Sequence, residues 1–169
     1  MVSGDPDLVL CLSVADCCAA LVLDPVRRVA GAFHAGWRGA RELIVPEGLR
    51  SMLVWHGSCA ADLLVYLSPC AGGDRYEVGP EVASLFPVSV RSIPGPRAPR
   101  FYLDLRAEIR RQLVEAGVKP ESIESSEVCT ISDPRCHSHR RDGERSGRMA
   151  AFIAVGSTLG SPPPSCPVG

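Results

Sequence analysis

Two apolar runs separated by four turn-forming residues constrain this chain more than any other feature. Residues 19–23 and 28–34 read as strands, and Asp24-Pro25-Val26-Arg27 between them reads as a turn. An antiparallel hairpin is the expected result. It brings Cys17 and Cys18, where the first strand begins, to the same end as His34, where the second strand finishes.

The remaining pattern fills in around that hairpin. Leu8 to Val14 is almost wholly apolar and predicts a strand buried on both faces. Residues 39–54 carry Leu43, Ile44, Leu49 and Leu53 at helical spacing, but Pro46 interrupts them and predicts a kink or a restart. A strand is expected over 62–67, a short helix over 78–86 and a loop over 94–100. The clearest helix spans Asp104 to Ala116, with Asp104 as N-cap, Leu105, Ile109 and Leu113 on one face, and Gly117 as terminator. Residues 127–130 and 148–155 predict strands flanking a polar, arginine-rich loop.

At 169 residues the chain suits one domain. Strands and helices occur without regular alternation, so the expected class is α+β with a mixed β-sheet sandwich and flanking helices. The domain is expected over 1–156. Residues 157–169, rich in Pro, Ser and Gly, carry no core-forming pattern and predict a disordered tail.

Eighteen basic against nineteen acidic residues give a net charge of −1, so no global field draws the chain to nucleic acid or anionic lipid. No apolar run approaches the ~20 residues that span a bilayer, and the first residues lack a signal-peptide pattern; a cytoplasmic location is expected. The eight cysteines contain no C-x-x-C pair and accompany long apolar stretches, which fits reduced thiols rather than a disulfide scaffold.

Three islands carry reactive groups: Val14-Ala-Asp-Cys-Cys18, Phe33-His-Ala-Gly-Trp-Arg-Gly39, and Cys136-His-Ser-His-Arg-Arg-Asp-Gly143 followed by Gly147-Arg148. A thiolate and an imidazole at one hairpin end are donors that zinc or copper selects. The residues alone leave a second reading open, in which Cys17 and Cys18 are small core thiols and His34 a satisfied histidine. Gly36 and Gly39 flank Trp37-Arg38, leaving Arg38 as an outward fork for an anion, or Trp37 as a packing residue at a strand-to-helix turn. Arg140, Arg141, Arg145 and Arg148 with His137 and His139 form the one dense basic patch, which suits phosphate or a carboxylate, or simply a solvated loop.

Taken in order, Ala-Asp-Cys, His-Ala-Gly-Trp-Arg-Gly, Tyr-Glu-Val-Gly, the Asp-Leu helix, Cys-Thr, Ser-His-Arg-Arg-Asp-Gly and Gly-Arg-Met-Ala-Ala-Phe resemble the YfiH family, also called the laccase-domain or polyphenol-oxidase-like family, over residues 4–155. The resemblance implies a zinc-dependent purine nucleoside phosphorylase whose partners are a purine nucleoside and phosphate. Adenosine deamination and methylthioadenosine phosphorolysis go with it, and copper-dependent phenol oxidation is an alternative. It places two metal ligands on Cys17 and His34. The third family ligand, the histidine of a Gln-Val-His-Gly motif in an N-terminal third, has no match here. A fragment of a longer enzyme is therefore expected; His56, His137, His139 or a neighbouring subunit are the substitutes otherwise, and a non-catalytic binding protein of the same fold is the rival reading. Arg38, Arg140 and Arg141 are expected to hold phosphate beside His139, with Asp16 or Asp142 orienting the arginines or assisting proton transfer. A Leu8 to Val14 strand without a neighbour would leave an apolar edge, so self-association is expected.

Overall fold

A computed structural model describes residues 1–156; the expected tail at 157–169 lies outside the described residues. In chain order the strands are β1 (Val2–Ser3), β2 (Val9–Val14), β3 (Cys18–Asp24), β4 (Val29–Ala35), β5 (Leu64–Leu67), β6 (Glu77–Val78), β7 (Val90–Ile93), β8 (Arg100–Leu103), β9 (Ile123–Ser125) and β10 (Met149–Ala154). The helices are α1 (Trp37–Arg41), α2 (Ile44–His56), α3 (Pro80–Ala83), α4 (Leu105–Glu115) and α5 (His139–Asp142).

The hairpin β3–β4 forms as the turn chemistry dictates. Asp24 is buried and its Oδ1 accepts the backbone N–H groups of Val26 at 2.9 Å and Arg27 at 2.8 Å. The register sets Ala19 opposite His34 and Cys18 opposite Ala35. This hairpin is the centre of a five-stranded sheet, order β1-β4-β3-β5-β9, antiparallel except where β5 pairs with β9. The α+β class with mixed sheet is therefore observed.

Strand periodicity sorts β4 between two layers. Val29, Phe33 and Ala35 join a core with Leu49 and Met52 of α2 and Ile109 and Leu113 of α4. Ala30 and Ala32 point the other way and are also buried, because the two-stranded ribbon β2–β10 packs on β4 from that side. The layers run helices, sheet, ribbon. A separate three-stranded sheet, β6-β8-β7, joins the same core through Leu103, with Val78 and Val90 packed against it. No helix among the described residues is long and apolar enough to cross a membrane.

The helix α4 matches its sequence pattern closely. Asp104 caps it by accepting the Ala107 N–H at 2.9 Å, and Gly117 ends it at φ +95°, where only glycine is unstrained.

Several expectations are corrected. The first long strand is not buried on both faces: Val9 is 61% exposed, because a ribbon offers only one face to the sheet. Nor does it lack a neighbour, since Val14 pairs with Met149 and Val9 with Ala154. The helical segment breaks at Glu42–Leu43 into α1 and α2, and Pro46 falls in the first turn of α2, where its missing N–H has no intrahelical partner to lose. That phase buries Val45, Leu49 and Met52 and leaves Leu43, Ile44 and Leu53 exposed. The strand expected over 62–67 starts at Leu64, and the helix expected over 78–86 is only Pro80–Ala83. No strand forms over 127–130; the local strand is Ile123–Ser125, and Cys129 makes only an isolated bridge to Cys70. The β6-β8-β7 sheet went unanticipated because strands of two to four residues are too short to show alternation.

Candidate active site

A cavity of about 520 Å³ opens where the rim of the main sheet, the end of the ribbon and the α5 loop meet. The sheet rim supplies Asp16, Cys17, His34 and Arg38; the ribbon supplies Ser13 and Arg148; Tyr76, His139 and Arg140 close the third side.

Cys17 and His34 both face this space, as the hairpin register requires of residues at one strand end. The sulfur lies close over Gly36, where an added Cβ would stand 2.7 Å from Cys17 Sγ. Burial pushes the Cys17 thiol up, and the neighbouring Asp16 and Cys70 push it further, so the sulfur keeps its proton at neutral pH unless a cation displaces it. Cys18 points into the core, fully buried, and is raised well above the ordinary thiol value by its hydrogen bond with Cys70 and by burial. Its place beside Cys17 is one of packing.

Asp16 adopts φ 78° and is only 8% exposed. Oδ1 accepts the Thr130 hydroxyl at 2.6 Å, Oδ2 accepts the Arg140 N–H at 2.6 Å, and its backbone carbonyl accepts Ala71 N–H at 2.9 Å. The carboxylate thus fixes the third wall through the backbone of Arg140 rather than through its guanidinium.

The arginines divide sharply. Arg38 stacks on Trp37 at 4.4 Å from the ring centroid, and Arg140 stacks on Tyr76 at 4.9 Å while donating to the Glu77 carbonyl. Arg148 donates through Nη1 to the carbonyls of Ser146 at 2.7 Å and Gly147 at 2.8 Å. Among the described residues, none of these three has a carboxylate partner.

Arg141 departs from its expected role. Its guanidinium donates to the carbonyls of Thr130 at 2.9 Å, Asp133 at 3.1 Å and Cys136 at 2.7 Å, and to the Asp142 carboxylate. It is a brace for the loop, outside the cavity. Asp142 is engaged in the same brace. Ser138 caps α5 by accepting the Arg141 N–H at 3.1 Å, and successive residues on a helix turn about 100° apart, so Arg140 faces the cavity while Arg141 faces the loop.

The substitute ligands fare differently. His139 lines the cavity, whereas His137 lies under Gly147 and His56 ends α2, both outside it. Among the described residues no group of three His, Cys, Asp or Glu side chains could hold a metal ion. Thiolate and imidazole suit zinc or copper, but Cys17 and His34 alone do not make a closed or an open catalytic site. Sequence reasoning missed Tyr76 and Thr130 as parts of the site. The Tyr-Glu-Val-Gly and Cys-Thr motifs marked their neighbourhoods without indicating contact.

The family model described as multi-copper polyphenol oxidoreductase laccase matches residues 1–156. The chain is 33% identical over 158 residues to the purine nucleoside phosphorylase YlmD of Bacillus subtilis (strain 168), covering 90% of this chain and 57% of the relative. It is 37% identical over 157 residues to a purine nucleoside phosphorylase of Mycobacterium tuberculosis (strain H37Rv), covering 90% and 60%. Among solved structures, Bacillus licheniformis hypothetical protein YfiH aligns with TM-score 0.85 at 31% identity, over 91% of this chain and 60% of that one. YlmD from Geobacillus stearothermophilus aligns with TM-score 0.84 at 28% identity, over 92% and 60%. The chain thus spans less than two thirds of the length of these relatives.

Proposed function

The chain belongs to the multi-copper polyphenol oxidoreductase laccase family, and from that membership we propose that it carries the phosphate- and nucleoside-binding cavity of a cytoplasmic purine nucleoside phosphorylase. Inosine, guanosine or adenosine and phosphate are the substrates, and free base and ribose 1-phosphate the products. Adenosine deamination and methylthioadenosine phosphorolysis are further activities of the same reading. One observation carries it: three guanidiniums without carboxylate partners among the described residues converge on one cavity beside Cys17, His34 and His139.

Phosphorolysis needs an oxyanion held against the anomeric carbon and its charge offset as the purine departs. Arg38 and Arg140 serve that purpose, each kept in plane by an aromatic ring, so little side-chain freedom is lost on binding. A phosphate oxygen bonds to the anomeric carbon while the glycosidic bond breaks and its electron pair leaves with the base. In this reading His139, which lines the cavity, delivers a proton to the departing purine. Asp16 holds the α5 wall in register.

Cys17 and His34 are the donors this chain offers to zinc, with copper as the alternative; zinc when bound would act as a Lewis acid. They do not complete a site, and no step above depends on the metal.

The test is phosphate-dependent release of base from inosine, guanosine and adenosine, followed chromatographically with zinc supplied, on the chain itself. R38Q is expected to lower kcat/KM by about 10²–10³. Zinc content is expected to fall in C17A and H34A. Nucleoside binding without base release would favour the non-catalytic reading. Phenol oxidation that vanishes on copper removal would favour the oxidase activity in the family's description.

A further inference from the structure

We propose that Arg148 is an anion-binding residue of this cavity and that, with Arg38, it clamps the inorganic phosphate; the inference rests on the phosphorylase reading of the same site. Each of the three walls contributes one guanidinium: Arg38 from α1 at the sheet rim, Arg140 from α5, and Arg148 from the residue that precedes β10. The one carboxylate that lines the cavity among the described residues, that of Asp16, already accepts a hydrogen bond at each oxygen. Three cations therefore face one committed anion in a chain whose overall charge is only −1. Like charges gathered this way repel unless a ligand neutralises them, and the matching ligand is an oxyanion.

The three arginines are held in different ways. Arg140 is fixed on its wall by the bond of its backbone N–H to Asp16, by the bond of its Nη1 to the Glu77 carbonyl and by the Tyr76 ring. Arg38 stacks on Trp37, and that contact leaves the donor edges of its plane open. Arg148 anchors a single nitrogen: Nη1 serves both the Ser146 and Gly147 carbonyls. Its Nε–Nη2 edge has no partner among the described residues, and that edge matches two phosphate oxygens in a bidentate pair. Ser13, on the strand that pairs with β10, adds a hydroxyl from the same wall. A phosphate held between Arg38 and Arg148 would span from the sheet to the ribbon and tie the two layers together.

The experiment is calorimetric titration of inorganic phosphate into the wild-type chain, R148Q and R148K, with inosine titrated in parallel and phosphate-dependent melting shifts recorded. R148Q is expected to bind phosphate at least tenfold more weakly and inosine within twofold of wild type. R148K keeps the charge but not the fork and is expected to fall between the two; it also serves if R148Q does not fold. Phosphate affinity in R148Q or R148K equal to wild type overturns the clamp, as does a wild-type chain that binds no phosphate. Arg148-dependent phosphate binding in a chain that releases no base leaves the clamp standing and sinks the phosphorylase reading. Base release with an unchanged phosphate KM in R148Q does the reverse.

Discussion

The hydroxyl of Thr130 donates a 2.6 Å hydrogen bond to Oδ1 of Asp16, joining two buried side chains that are 114 residues apart in the chain. The other oxygen of the same carboxylate receives the Arg140 N–H. Removing the carboxylate strands both donors, one of them the hydroxyl of the fully buried Thr130. D16A is expected to destabilise the fold by about 2–3 kcal/mol and T130V by about 1–2 kcal/mol, read from urea unfolding midpoints. An unchanged midpoint in D16A would show that the α5 wall is held by other means.

Gly48 sits inside α2, where alanine is intrinsically better by about 1 kcal/mol. Here the ring of Phe33 occupies the space that a Cβ would take, and Phe33 is a buried core residue. Overpacking of this kind costs about 1–3 kcal/mol or more, so G48A is expected to lower stability despite the gain in propensity. Combining it with F33L should recover part of the loss. A stabilised G48A in thermal melts would refute the close packing of α2 on β4.

Glu108 supplies the pH dependence. Burial pushes its carboxyl up, but hydrogen bonds from Arg111, Ser89 and Gln112 outweigh burial and hold it below its ordinary value of 4.5. A depressed folded value means the stabilisation is complete above the ordinary value and fades as pH falls through the folded one. The contribution of Glu108 to stability should therefore decline as pH falls below its ordinary value of 4.5, and E108Q should flatten that part of the acid limb while lowering stability at neutral pH. Identical acid limbs for wild type and E108Q would contradict this assignment.

Gly36 has ordinary extended angles, φ −84° and ψ −178°, so its identity is not a matter of backbone strain. The constraint is steric: a Cβ would lie 2.7 Å from Cys17 Sγ. G36A is expected to displace that sulfur and lower zinc content while costing the fold only about 1 kcal/mol. Wild-type zinc content in G36A, measured by elemental analysis, would remove Cys17 from the metal proposal.

The hairpin and α4 were legible because their signals are local. An aspartate folds onto the two amides that follow it, a cap reaches three residues ahead, and a glycine ends the helix, all within one turn of chain. The same locality made the cavity's sheet rim readable: Cys17, His34 and Arg38 flank one predicted hairpin, and all three line the space.

What the linear order by itself determined was therefore the class of fold, the central hairpin and the chemical types gathered at its end. Tertiary structure alone decided the rest. Val14 found Met149 across the chain, and of two adjacent arginines one faces the cavity while the other braces a loop. Periodicity encodes which face of an element is apolar but not which distant element will cover it. That choice belongs to packing, where the competing partners are compared in three dimensions rather than along the backbone.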